Sequence, residues 1–263
     1  MGWGSGCGKA EVLNAAVGDP IICGSSTEDH PFNGKLVFID VSGLAHKASK
    51  KDAATVVREG TSLAQQAYLR KQVGSVAAEG GTPVLVLDGR AYPPKLATRK
   101  ARRDAAEAAR VEAEQLQQNN RQDEARRKWE AAAGPQEPFW LALLDECLRN
   151  NILFLVAPYE ADAQLVALAE VYGDQAVIWA ASNDSDIVAF GGLDVVYDWD
   201  AFGRQYRRIR LLDDILGKVV GERSFVGWTY DRFLVFTILS GNDYFKNLPG
   251  YALKNVFTGM AGS

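Results

Sequence analysis

Short apolar runs alternate along the chain with longer amphipathic stretches. Lys35 to Asp40 (KLVFID), Pro83 to Asp88 (PVLVLD), 151–158 (NILFLVAP) and 175–181 (QAVIWAA) have the length and composition of buried strands, and 194–200 (DVVYDWD) predicts a fifth. Between them, residues 52–79 place Val56, Leu63, Ala67 and Val76 among polar positions and predict a helix. Phe139 to Arg149, the stretch YEADAQLVALAEVYG ending near Gly173, and the apolar stretch 229–240 predict three more. Pro158 is expected to start the second of these. GNDYFKNLPG (241–250) is turn-rich, and residues 1–34 are rich in Gly, Ser and small side chains with poor periodicity.

Strands that alternate with helices predict an α/β fold with a mostly parallel central sheet flanked by helices. Residues 95–133 interrupt the alternation. They are rich in Ala, Arg, Glu and Gln, carry almost no large apolar side chain, and end at AGPQEP (133–138). They predict an exposed helix too polar for the core, and they are too long for a plain crossover. Such an insertion projects from the sheet, and long insertions often serve function.

Four of the apolar runs deliver carboxylates at their C-terminal ends: Asp40, Asp88, the pair Glu160 and Asp162, and the pair Asp184 and Asp186. In a parallel sheet these ends share the edge where such folds bind ligands. Asp243, after the apolar helix, adds a seventh acid. A single Asp after a strand is ordinarily a helix cap or turn former, but four coincidences call for a common cause. Anions gathered in one cavity disfavour each other's charged form and need cations. Oxygen donors select Mg²⁺, with Mn²⁺ as a substitute. Two such ions ~4 Å apart suit phosphodiester hydrolysis. Glu160 and Asp162 do not share a helix face, so both reach one site only from the opening turn of their helix. Asp198 and Asp200 read as solvated loop residues, because the charged GRQYRRIR follows directly.

Composition narrows the setting. The chain has 263 residues, 47% of them hydrophobic, enough for a substantial core. A net charge of −4 argues against generic polyanion binding, so any nucleic-acid surface must be local. Cys7, Cys23 and Cys147 lack metal-ligand spacing and fit a reducing compartment. No apolar run reaches the ~20 residues that span a bilayer, and the N-terminus lacks a secretion-signal pattern. The expectation is a soluble intracellular protein, monomeric and without a membrane partner. The local basic surface lies in the insertion: between Arg90 and Lys128, eleven basic residues stand against six acidic ones. They form either a solvated helix stitched by ion pairs or a set of cations placed over a phosphate beside the acids.

The motifs VAPYEADAQL, SNDSDIVAFG, LSGNDYFKNLPG and IDVSGLAHKAS together resemble the structure-specific 5′ nucleases, the family of flap endonuclease, XPG and exonuclease 1, over roughly residues 35–257. Exonuclease 1 is the nearest pattern. The resemblance implies a PIN-like nuclease sheet under a helical arch, and a single nuclease domain over 1–263. Within it, 35–90 and 139–228 form the nuclease body, 91–138 the basic arch, and 229–263 a truncated helix–two-turn–helix. It implies two divalent ions held by Asp40, Asp88, Glu160, Asp162, Asp184, Asp186 and Asp243. Lys95 and Arg102 fall at the family's basic active-site pair; they are seven apart, on one helical face, and are expected to hold and polarise the scissile phosphate. His46, Lys47, Arg99, Arg103, Gly241 and Gly250 are expected at DNA, with K⁺ at the helix–two-turn–helix. His46 read without the resemblance is equally an ordinary helix histidine. Implied substrates are DNA with 5′ ends, nicks, gaps or flaps. Implied settings are repair, recombination or replication in the nucleus.

The chain departs from the family pattern at several places. It opens MGWGSGCG instead of Met-Gly-Ile-x-Gly-Leu-Leu, with a longer segment before Asp40, which weakens a role for Gly2. Ser42 stands where exonuclease 1 has a stacking aromatic, and a serine cannot supply the ~1–3 kcal/mol of a stacked base. Asn183 replaces an acid, and Ala252 replaces a glycine that permits close backbone approach. The sequence stops at Ser263, so a fragment or a shortened protein with poorer duplex grip is expected. Two readings follow: a 5′ nuclease, exonucleolytic or flap-cleaving, and a non-catalytic nucleic-acid-binding or scaffold protein that retains the fold.

Overall fold

The computed structural model describes residues 16, 21–22, 30–180, 186–201, 204–240 and 253–261. Its strands are β1 (Ile21–Ile22), β2 (Leu36–Asp40), β3 (Thr82–Leu87), β4 (Leu153–Val156), β5 (Ala176–Ala180), β6 (Asp194–Asp200), β7 (Gln205–Arg210), β8 (Val219–Val220) and β9 (Arg223–Ser224). Its helices are α1 (Val41–Ser49), α2 (Ala53–Glu59), α3 (Leu63–Ala78), α4 (Leu96–Gln118), α5 (Gln122–Ala132), α6 (Glu137–Asn150), α7 (Ala161–Tyr172), α8 (Asp186–Ala189), α9 (Tyr230–Leu239) and α10 (Leu253–Ala261). The main sheet runs β1-β7-β6-β5-β2-β3-β4. From β6 to β4 every neighbouring pair is parallel, whereas β7 lies antiparallel to β6 and β1 antiparallel to β7.

Strand alternation divides two cores between the faces of this sheet. Val37, Ile39, Leu85, Leu87, Val177 and Trp179 point to one side, against Leu44 of α1, Leu69 and Val73 of α3, and Phe139 and Leu143 of α6. Phe38, Val86, Ile178 and Ala180 point to the other, against Leu165 of α7 and Phe233 and Phe236 of α9. The parallel order sends the C-terminal ends of β2, β3, β4 and β5 to one edge, which therefore carries the residues that follow them.

Several expectations change. The helix expected over 52–79 is two helices: Gly60 at φ 84° ends α2, and Ser62 caps α3 by accepting from the Gln65 N–H at 3.1 Å. The polar stretch 95–133 is a helical hairpin, α4 and α5, turned at Asn120 with φ 59°. It is not devoid of core: Ala113, Leu116, Ala125 and Trp129 bury against Ala53 of α2. The Arg58 guanidinium stacks 4.7 Å over Trp129 and donates to Gln117 at 2.8 Å. Alanines and one tryptophan suffice for this contact because small side chains let helices approach closely. Asp198 and Asp200, expected as solvated loop residues, lie in strand β6, and the charged stretch after them is strand β7. Tyr206 and Ile209 are buried, and Arg208 forks onto Asp194 with bonds of 2.7 and 2.6 Å. Asp198 sits at φ 53° in the bulge between Tyr197 and Asp200, paired with Lys47 and Arg207. Among the described residues no helix is long and apolar enough to cross a membrane.

Candidate active site

Asp40 ends β2 and caps α1. Its Oδ2 accepts from the Gly43 N–H at 3.1 Å, and its side chain is almost wholly enclosed. Burial first, then the charges of Asp162 and Asp88, push its carboxyl up to about 7, against the opposing pull of the Gly43 and Ser42 N–H groups. Asp88 follows β3 and is held through both oxygens. The Ala161 N–H donates to Oδ1 at 2.8 Å and the Ser42 hydroxyl donates to Oδ2 at 3.0 Å. Asp88 thereby caps α7 from another strand, a task the residue preceding α7, Glu160, does not perform with its own side chain.

The neighbouring loops are locked at close range. The Gly89 N–H donates to the Tyr159 carbonyl at 2.6 Å and the Arg90 N–H to the Pro158 carbonyl at 3.2 Å. A Cβ at Gly89 would stand 1.8 Å from the Ala157 carbonyl oxygen, so only glycine permits this approach of the β3 and β4 exits. These bonds hold Pro158 and Tyr159 outside the helix. α7 consequently begins at Ala161, not at Pro158. Glu160 is its cap and Asp162 lies in its first turn, the one arrangement that lets residues two apart serve the same edge.

The base of the helical hairpin faces these acids. Lys95, itself buried, places Nζ 2.7 Å from Glu160 Oε2, and Arg99 Nη2 lies 3.8 Å from Glu160 Oε1. Arg102 is close enough to bear on His46. Desolvation, then Lys50 and Arg102, hold the imidazole below its usual pKa, with Asp88 pulling the other way. His46 packs against Gly134, just after α5 ends, where an added Cβ would lie 3.3 Å from its ring. Lys47 turns to Asp198 at 3.7 Å, and Arg103 is exposed on α4. The ion pairs also divide the insertion's cations: Arg110, Arg121 and Lys128 pair along the hairpin with Glu107, Glu124 and Glu112, whereas Lys95 and Arg99 turn to the acidic edge.

Asp186 opens α8 beyond β5. Asp184, Asp243, Gly241 and Gly250 lie outside the described residues. Among the described residues no three acids stand at metal-ligating spacing. Glu160 is drawn to Lys95 and Arg99, and Asp88 is engaged by Ser42 and Ala161. Two features of the edge were not singled out from sequence. Ser42, read as a lost aromatic, is the hydroxyl that orients Asp88. Tyr92, Tyr159 and Phe190 form an aromatic border beside Glu160. An Asp-x-Ser at a strand-to-helix junction was the available signal for the first. The second depends on three separate loops and had none.

Residues 151–243 match the family model of the XPG I-region. The chain is 30% identical over 242 residues to exonuclease 1 of Drosophila melanogaster, covering 89% of this chain and 31% of that protein. It is 26% identical over 223 residues to exonuclease 1 of Arabidopsis thaliana, covering 84% and 29%. The chain thus spans about a third of the length of these relatives. Among solved structures, the catalytic core of Rad2 in complex with DNA superposes with a TM-score of 0.64 at 16% identity, covering 98% of this chain and 67% of that one. Flap endonuclease-1 from Methanococcus jannaschii gives 0.56 at 20% identity, covering 93% and 76%. The chain is thus similar over residues 151–243 to the XPG I-region, over most of its length to part of exonuclease 1, and in fold to Rad2 and flap endonuclease-1.

Proposed function

We propose that this chain is the nuclease core of a metal-dependent, structure-specific 5′ nuclease that hydrolyses DNA phosphodiesters. The observation that carries the reading is the gathering of Asp40, Asp88 and Asp162 at one sheet edge, beside a Glu160 that pairs with Lys95 and Arg99. Burial first, then the charges of Asp162 and Asp88, raise the Asp40 carboxyl to about 7, and a bound cation would offset both. An all-oxygen donor set suits Mg²⁺, with Mn²⁺ as a substitute. Asp40, Asp88, Glu160 and Asp162 would hold two such ions together with Asp184, Asp186 and Asp243. When bound, the ions supply activation of water and charge stabilisation of the leaving 3′ oxygen.

The chain's own residues do the rest. Lys95 and Arg102 hold the scissile phosphate and stabilise its developing charge. Arg99 and Arg103 extend the cationic surface along α4, and His46 and Lys47 border it from α1. Gly241 and Gly250, outside the described residues, would contact duplex phosphates in this reading, and K⁺ would assist that contact. The hairpin over 91–138 is the arch of this reading, and 229–263 its helix–two-turn–helix. Substrates are DNA with 5′ ends, nicks, gaps or flaps. Action in nuclear repair, recombination or replication rests on the exonuclease 1 relatives.

The test uses duplexes labelled at a recessed 5′ end, a nick or a 5′ flap, incubated with Mg²⁺ or with EDTA. Mg²⁺-dependent cleavage near the 5′ end, absent in Asp88→Asn, is expected. DNA binding without cleavage by the wild type would favour the scaffold reading instead.

A further inference from the structure

Strand β4 (Leu153–Val156) ends the main sheet on one side and pairs only with β3. Just beyond it, the Ala157 N–H donates to the Leu87 carbonyl at 2.9 Å. Backbone groups alternate in direction along a strand, so Leu153 and Leu155 also turn to β3, whereas the N–H and C=O groups of Phe154 and Val156 turn outward. Among the described residues no backbone bond meets these outward groups. Sheet edges are commonly blunted by charges, prolines or bulges. Residues 153–156, LFLV, carry no charge and no proline, and their register with β3 runs without a bulge. Leu153, Leu155 and Val156 are 53%, 36% and 53% exposed. Phe154 packs on the α6 side of the sheet, and Leu153 and Leu155 point to the other face.

We infer that a second copy of this chain pairs with β4 edge to edge, antiparallel, about a twofold axis at Leu155, in place of the monomer expected from sequence. The inference goes beyond the nuclease reading and does not depend on it. The outward backbone groups select both the occupant and the register. With Leu155 opposite Leu155 of the second copy, Phe154 of each chain faces Val156 of the other, and each such pair exchanges both of its N–H···O bonds. Moving the axis to Phe154 sets Val156 against Ile152, whose N–H already goes to the Cys147 carbonyl at 2.9 Å. Moving it to Val156 sets Phe154 against Pro158, which has no N–H. The axis at Leu155 satisfies every outward group. The side chains agree with it: Leu153 meets Ala157, Leu155 meets its counterpart, and residues 150–158 bring no like charges together because they carry none. Antiparallel pairing points the two acidic edges in opposite directions, so both stay open. One short strand per copy buries less than the ~1,200 Å² of a standard interface, so a dissociation constant of about 10–100 µM is expected.

Two readouts test this, and neither uses cleavage. Sedimentation equilibrium over about 5–500 µM should show the wild type passing from monomer to dimer. Leu155→Lys, which sets two ammonium groups face to face on the axis, should stay monomeric throughout while keeping the wild-type melting temperature in dilute solution. The register has its own readout, taken in a Cys7→Ala, Cys23→Ala background. Leu155→Cys places two thiols on a narrow pair with Cα atoms ~4.5 Å apart, within reach of a disulfide. Leu153→Cys, at a more exposed position, stands on the order of 14 Å from its own counterpart. Mild oxidation should therefore cross-link Leu155→Cys into a dimer at least about tenfold faster than Leu153→Cys. Equal cross-linking of the two cysteine variants, or dimerisation of Leu155→Lys like that of the wild type, would overturn the inference. A wild type that stays monomeric over the whole range would overturn it too, and would leave the edge to a strand of a different protein.

Discussion

Lys95 Nζ and Glu160 Oε2 stand 2.7 Å apart, with both side chains nearly nine-tenths enclosed. A cation from the hairpin base is thereby tied to an acid at the mouth of α7, and removing one partner strands the other. A substrate phosphate offers Lys95 a competing anion, and a divalent ion offers Glu160 a competing cation. Lys95→Met is expected to lower the single-turnover cleavage rate by roughly 10²–10³-fold, the scale of losing one preorganised charge-stabilising donor. Mn²⁺ titration followed by electron paramagnetic resonance should show metal binding retained. A cleavage rate within twofold of wild type would remove Lys95 from the chemistry.

The enclosed Asp40 makes metal-free stability depend on pH. Its folded-state carboxyl, at about 7, lies above its ordinary value of 3.8, so between these values the folded protein binds the extra proton. Stability of the metal-free protein should therefore fall as pH rises from about 4 to 7 and level off above. The full span is on the order of 4 kcal/mol. Asp40→Asn keeps the cap on α1 but carries no charge. It should melt higher than wild type at pH 8 in EDTA and gain nothing from added Mg²⁺. A pH-independent difference between the two in thermal melts would contradict the crowding argument.

Ser42 touches both acids that flank it: its N–H opposes the upward push on Asp40 and its hydroxyl holds Asp88. Ser42→Ala should weaken Mn²⁺ binding roughly tenfold, as expected for a group that orients a ligand. Ser42→Thr should restore it, and the metal-free melting temperature should hardly move. Calorimetric titration with Mn²⁺ reads this directly; equal affinity in Ala and Thr variants would count against an orienting role.

Trp129 fastens the hairpin to α2 through a small core and a stacked arginine. Trp129→Ala should cost about 3–5 kcal/mol of local packing. Hydrogen exchange should speed up across 96–132 while the β2, β3 and β5 amides keep their protection. Uniform acceleration over the whole chain would mean that the hairpin is not a separately opening unit.

The parallel strands were legible because both faces of each are buried, giving continuous apolar runs at Leu36–Asp40 and Ala176–Ala180. The acids at their ends were legible for the same reason: a carboxylate after such a run is conspicuous. Strand β7 was hidden because its arginines suggest solvent; Arg208 is accommodated by the cross-strand acid Asp194, Arg207 by Asp198, and Arg210 by Asp213 and Asp214. The start of α7 was misplaced because Pro158 is a good helix opener locally, whereas the bonds from Gly89 and Arg90 that keep it extended come from another strand. The Ser42–Asp88 bond joins residues 46 positions apart, a pairing that no local pattern announces.

The most direct test of the central claim is single-turnover cleavage of a 5′-recessed duplex labelled at its 3′ end. Wild type, Asp40→Asn and Lys95→Met are compared in Mg²⁺ and in EDTA. The account predicts Mg²⁺-dependent shortening from the 5′ end by the wild type. It predicts none by Asp40→Asn and a rate roughly 10²–10³-fold lower for Lys95→Met. Undiminished cleavage by Asp40→Asn, or cleavage that persists in EDTA, would contradict it.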